Sequence, residues 1–182
     1  MLDLKIEEKM QKALEHLDTE FQGIRTGRAH PGLLDTVKVE YYGSTMPVKQ
    51  LANITVPEPR VLIIVPFDKG AVKAIEKAIL AANIGMTPNV DGNNIRLVIP
   101  ELTGERRKEF VKMASKLAEE SKVAVRNIRR DVNEALKKME KNSEISEDEL
   151  KRLLEEAQKT TDKFIAKVDE EYKKKEKEIL EK

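Results

Sequence analysis

Ile6, Met10, Leu14, Leu17, Phe21 and Ile24 follow one another at steps of four and three. That spacing puts one apolar side chain per turn on a single helix face. It predicts a first helix that ends in the stretch holding Gly27, Pro31 and Gly32. The pattern then turns to alternation. Across Thr36–Tyr42, Val37, Val39 and Tyr41 interleave with Lys38, Glu40 and Tyr42, as in a half-buried strand. Gly43 and Ser44 predict a turn, and Val48–Val56 a second strand. Arg60–Val65 is a short apolar run between prolines and reads as a buried strand. Helical spacing returns at Ala71, Ile75, Ala78, Ile79 and Ala82, behind a capping Asp68, with Gly85 as the expected helix end. Asp91-Gly92 is a hairpin signal, followed by a strand over Ile95–Ile99. This segment therefore predicts a β/α/β unit of four or five strands and one helix.

From Thr103 the pattern is helical to the end of the chain. Phe110, Ala114, Leu117, Ser121, Ala124, Ile128, Val132, Ala135 and Met139 form the stripe of a second long helix, with Thr103 as its cap. Leu150, Leu153, Ala157, Thr161, Phe164, Val168, Tyr172 and Ile179 form a third. Ser146-x-x-Glu149 is a capping box, and Ile145 with Leu150 can form the hydrophobic staple beside it. The connection over Asn142–Ile145 is short, so these two helices should pack antiparallel. Three striped helices bury one another in a three-helix bundle. All seven prolines lie between Pro31 and Pro100, and no glycine follows Gly104. The expected fold is thus α+β: a bundle domain from residues 1–29 and 103–182, with a small β/α/β domain, residues 30–102, inserted. The three stripes are used up within one bundle, so a monomer is expected.

Composition narrows the chemistry. Charged residues make up 37% of the 182 positions and aromatics 4%, as in long solvated helices. No apolar run is long enough to cross a membrane, and the N-terminus lacks a signal-peptide core, which predicts a cytoplasmic protein. Cys is absent and only two His are present, which excludes thiol chemistry and disfavours a metal site. No phosphate-binding, nucleophile-elbow or zinc-protease motif occurs. The sequence predicts no enzyme and no cofactor.

The net charge of +1 hides a strong asymmetry: residues 103–142 hold twelve cations against seven anions. At about 100° per residue, Lys108, Lys112, Lys122, Arg126, Arg129, Arg130, Asn133 and Lys137 share one face of the second long helix, which the spacing turns away from Ile128 and Val132. Cations one turn apart repel. Such a face is either a solvated surface balanced by acids on neighbouring helices or a footprint for phosphates. Few aromatics argue against base stacking on single strands and for a structured RNA read by shape. Arg25 and Arg28 either complement the C-terminal dipole of the first helix or extend that surface. His16 reads as a boundary residue and His30 as part of the crossing between domains. A coiled-coil adaptor would explain the stripes but not the basic face; an RNA-modifying enzyme would need a nucleophile or metal that is missing.

Five stretches, taken together, resemble the bacterial ribosome recycling factor family. They are Ile24-Arg25-Thr26-Gly27-Arg28-Ala29, Val39-Glu40-Tyr41-Tyr42-Gly43, Leu102-Thr103-Gly104-Glu105-Arg106-Arg107-Lys108, Val123-Ala124-Val125-Arg126-Asn127-Ile128-Arg129-Arg130-Asp131 and Glu144-Ile145-Ser146-Glu147-Asp148-Glu149. The family has a small residue where this chain has His30. The resemblance implies an L-shaped, two-domain, non-catalytic protein with hinges near residues 28–31 (Arg28, Ala29, His30, Pro31) and 101–104 (Glu101, Leu102, Thr103, Gly104). It implies binding to large-subunit rRNA in the intersubunit space, and subunit splitting with elongation factor G and GTP. The family's RNA-contacting arginines match Arg25, Arg28, Arg126, Arg129 and Arg130.

Overall fold

The fold was obtained as a computed structural model and is described for residues 5–181. The chain divides into two compact units, Met1–Arg25 with Gly104–Lys182, and Thr26–Thr103. Residues 1–4 and 182 lie outside the description.

The first unit is built from α1 (Ile6–Gln22), α4 (Gly104–Lys141) and α5 (Glu147–Leu180). α1 stops at Gln22, before the predicted end. The Gly23 amide donates to Glu20 O and the Ile24 amide to Phe21 O, both at 3.1 Å, and Ile24 is buried beyond the helix proper. Three apolar clusters fill the bundle. Leu17, Phe21, Ala114, Ala118, Val168 and Ile179 form one; Met10, Val125 and Phe164 a second; Val132, Leu136, Ile145 and Ala157 a third. Small Ala residues face large Phe, Leu and Ile, so that the helices interdigitate without overpacking. The stripe of α4 differs from the expectation at three points. Ala118, Val125 and Leu136 are buried, whereas Leu117, Ala124 and Ala135 are only half-buried. Each pair is adjacent and apolar, and at each the buried member lies one residue beyond the expected one.

α4 reverses into α5 through a Schellman motif. Glu144 N–H donates to Met139 O at 2.9 Å and Ser143 N–H to Glu140 O at 2.9 Å. Ser143 sits at φ 60°, in the left-handed region. Ser146 then caps α5, its Oγ accepting from Glu149 N–H at 3.1 Å, and Ile145 and Leu150 join the third cluster beside it. A Cβ in the left-handed region is penalised. Ser143→Gly is therefore expected to stabilise the bundle by about 0.5–1 kcal/mol, read as a higher midpoint in urea at unchanged slope. A loss of stability would show that the Ser143 side chain contributes more than its backbone strain costs.

The second unit holds α3 (Val72–Ala82), a single helical turn α2 (Val48–Leu51), and six strands. β1 (Lys38–Tyr41) and β2 (Ser44–Pro47) form a two-stranded antiparallel sheet. β3 (Ala52–Glu58), β4 (Val61–Pro66), β5 (Pro88–Asp91) and β6 (Asn94–Val98) form an antiparallel sheet of order β3-β4-β6-β5. The expected strand over Val48–Val56 is corrected at its start. Val48 and Leu51, three residues apart, are both buried, which a helical turn after Pro47 satisfies and strand alternation does not. Both hairpin turns lie one residue from their expected centres. Tyr41 pairs with Ser44 around Tyr42-Gly43, and Asp91 pairs with Asn94 around Gly92-Asn93. Asn83, at φ 46°, ends α3 in the role expected of Gly85. Leu62, Ile64, Ile95 and Leu97 of the sheet pack with Val37, Val39, Ile75 and Ile79 to make this unit's own core.

One polar clamp ties its surface together. The Tyr41 hydroxyl donates to Asp68 Oδ2, and Asp68 Oδ1 accepts from Gly70 N–H at 3.0 Å. The Tyr41 hydrogen bond, then the Gly70 one, holds the Asp68 carboxyl below its usual range, and Asp68 in turn pushes the Tyr41 phenol well above its own. A depressed carboxylate stabilises the fold above its unfolded-state pKa and loses that contribution as pH falls through the folded value. A raised phenol contributes below pH ~10 and loses its share as pH rises beyond it. In Tyr41→Phe the Asp68 carboxyl should titrate higher than in the parent, with the Gly70 hydrogen bond still lowering it, which carbon-detected NMR can follow. An unmoved midpoint would assign the shift to Gly70 alone.

Candidate nucleic-acid interface

The 38 residues of α4 form a rod roughly 57 Å long at 1.5 Å per residue. Its burial pattern sorts the predicted cations into two rows. Arg126, Arg130 and Lys137 are exposed, as are Lys108 and Lys112 nearer the start of the helix. Arg126 Nη1 reaches Glu119 Oε1 at 3.2 Å, a pairing of two exposed groups that contributes little to stability. Arg130 and Lys137 have no ion-pair or hydrogen-bond partner among the described residues.

Lys122, Arg129 and Asn133 form the second row, and here the expectation that the whole face points away from the core is corrected. All three are half-buried. The stripe runs through Val125 and Leu136, which turns this row toward α5. Lys122 pairs with Asp169, its side chain only 20% exposed. Arg129 Nη1 donates to Gln158 Oε1 at 2.6 Å, and Gln158 Nε2 donates to Asp162 Oδ1 at 2.8 Å. Arg129 Nε and Asn133 Oδ1 are buried without a partner among the described residues.

Arg25 is exposed and belongs to the first unit; Arg28 is exposed and belongs to the second. The remaining residues of the two crossings carry structure of their own. Ala29 N–H donates to Pro59 O at 2.7 Å. His30 Nδ1 accepts from Gly32 N–H at 2.9 Å and so caps the short 3-10 helix that begins at Pro31. Arg60 reaches Ile99 O twice at 3.0 Å and Glu101 Oε1 at 3.0 Å. Gly27 is at φ 77°, and a Cβ there would stand 3.4 Å from Leu102 Cγ. Thr103 and Gly104 are exposed where α4 begins.

His16, exposed, lies 3.6 Å from Glu20, an ordinary one-turn contact on α1. The partners Gln158 and Asp169 were missed from sequence, although the signal was present. The pairs Lys122–Asp169 and Arg129–Gln158 are both centred on the Ser143–Ser146 connection, which fixes the antiparallel register. Among the described residues, no helix is long and apolar enough to cross a membrane.

The molecule so described defines a class: α+β chains in which a three-helix bundle carries an inserted β/α unit and a cationic row along one helix. The family model described as Ribosome recycling factor matches residues 17–180. The ribosome-recycling factor of Carboxydothermus hydrogenoformans is 60% identical, over 96% of this chain and 94% of that protein. The one from Bacillus subtilis is 57% identical over the same shares. A solution structure of a ribosome recycling factor matches with a TM-score of 0.76 at 45% identity, covering 99% of this chain and 98% of that one. A second match covers 97% of this chain and 96% of the other, with a TM-score of 0.65 at 48% identity; it represents the T. thermophilus ribosome recycling factor and the E. coli elongation factor G bound to the E. coli post-termination complex. The chain belongs to the ribosome recycling factor family.

Proposed function

We propose that this chain recycles ribosomes by binding large-subunit rRNA in the intersubunit space and, with elongation factor G and GTP, splitting the post-termination ribosome into subunits. The observation that carries the reading is the exposed row of Arg126, Arg130 and Lys137 on a stiff helix, in a chain similar to a factor represented with elongation factor G on a post-termination complex. Exposed guanidinium groups can meet phosphate oxygens in pairs; the contact of Arg126 with Glu119 joins two exposed groups and is weak enough to exchange, and Arg25 lies in the same unit. Arg28, Lys122, Arg129 and Asn133 complete the proposed RNA-binding set. The protein acts as a cytoplasmic monomer and turns over no GTP itself.

In this reading the two crossings are hinges. Rotation takes place at residues 28–31 and 101–104, where the chain passes between the two units. A push on the smaller unit then becomes strain on a bundle fixed to RNA.

The test is subunit splitting followed by light scattering, with post-termination ribosomes, elongation factor G and GTP. Splitting should require this protein as well as the other two components. Equal splitting without it, or GTP hydrolysis by the protein alone, would refute the reading.

A further inference from the structure

Gln158 has no assigned role, yet it makes a short side-chain contact to the basic helix, at Arg129. Its amide is oriented by both neighbours. Oε1 accepts from Arg129 Nη1 at 2.6 Å and Nε2 donates to Asp162 Oδ1 at 2.8 Å. Reversing the amide would set N–H against N–H and oxygen against carboxylate.

We propose that Gln158 is a latch: it holds Arg129 retracted against α5, and RNA binding exchanges Gln158 for a phosphate oxygen. This rests on the reading of α4 as the RNA-binding helix.

Three features support an exchangeable latch over a permanent structural bond. First, the acceptor is neutral. Lys122 is paired with a carboxylate, Asp169, whereas Arg129 keeps its full charge while bonded to an amide. A neutral acceptor binds a guanidinium less strongly than a phosphate does. Second, the retracted position is imperfect. Arg129 Nε is a buried donor and Asn133 Oδ1, one turn further on, a buried acceptor; neither finds a partner among the described residues. Unmet buried groups raise the energy of that state. Third, Gln158 itself is exposed, so the guanidinium can leave without opening the bundle core. Swinging outward would bring its fork toward the side where Arg126 and Arg130 already stand.

Association of the full chain with purified large ribosomal subunits, measured across a salt series, tests this as a double-mutant cycle. Gln158→Glu makes the latch charge-assisted and should weaken association about tenfold, while Gln158→Ala releases it and should tighten association about threefold. In an Arg129→Ala background, itself weaker than the parent, both effects should shrink to less than about twofold. Thermal melts of each variant show whether the bundle is intact. Equal weakening by Gln158→Glu with and without Arg129 would mean general repulsion of RNA and overturn the latch, as would no weakening in the parent. Weaker binding by Gln158→Ala would also overturn it, because Gln158 would then present Arg129 rather than withhold it. If Arg126→Ala, Arg129→Ala and Arg130→Ala all leave association unchanged, the RNA-binding reading falls and the latch with it. If they weaken association and the Gln158 variants do nothing, the latch alone falls.

Discussion

Replacing Arg126 and Arg130 together by Ala should weaken association with the large ribosomal subunit by about a hundredfold while leaving the fold intact. Each exposed guanidinium that pairs with phosphate is worth roughly 1–3 kcal/mol, and the two sites lie four residues apart on one side of α4. The salt dependence gives an independent reading. Each lost phosphate contact reduces the slope of log affinity against log salt by about one, so the double variant should be shallower by about two. Substitutions of exposed surface residues change stability by no more than about 0.5 kcal/mol, and the melting temperature should hold. Lys151→Ala with Lys159→Ala, exposed on α5, removes the same charge elsewhere in the unit. If that pair weakened association as much, net charge rather than the α4 row would be responsible.

Phe164→Ala should be the most disruptive single truncation. Phe164 is 1% exposed and packs with Met10 and Val125, both fully buried. Three helices thus meet at one ring, and its removal leaves a cavity that none of them can close alone. Buried Phe→Ala changes cost about 3–5 kcal/mol, a large part of the roughly 5–15 kcal/mol that holds an ordinary domain. The loss should be local to the bundle. Amide exchange at Leu17, Val132 and Val168 should accelerate strongly, while Leu62, Ile95 and Leu97, in the other unit's core, keep their protection. Uniform acceleration across both groups would mean that the units unfold as one.

The helical stripes were legible because a long helix repeats its signal many times. The third stripe, Leu150 through Ile179, needed no revision: Ala157, Thr161, Phe164, Val168 and Ile179 are all buried. The second was displaced around the helix because Leu117-Ala118, Ala124-Val125 and Ala135-Leu136 each offer two adjacent apolar residues. A wheel drawn for one helix cannot choose between them; the packing of the partner helices does. That rotation decides the candidate site. It turns Lys122, Arg129 and Asn133 toward α5 and leaves Arg126, Arg130 and Lys137 in solvent. Spacing identified the cations, but their division into two rows depends on what packs beside them. Short elements were less legible. Val48–Leu51 is a single turn, too brief for any period to show, and the hairpin centres follow from strand register rather than from the glycine alone.

The division of the bundle across the chain also governs how it is made. α1 ends at Gln22 and its partners begin at Gly104. Synthesis at about 5–20 residues per second leaves the Met10, Leu17 and Phe21 face waiting on the order of ten seconds for α4 to be completed, and longer for α5. The unit between them closes its own core first, since all of its strands and its helix are contiguous. A nascent chain of this protein therefore carries a finished domain and an unsatisfied amphipathic helix at the same time. That interval is when aggregation and chaperone capture compete with folding, and the bundle can assemble only after the last helix has left the exit tunnel.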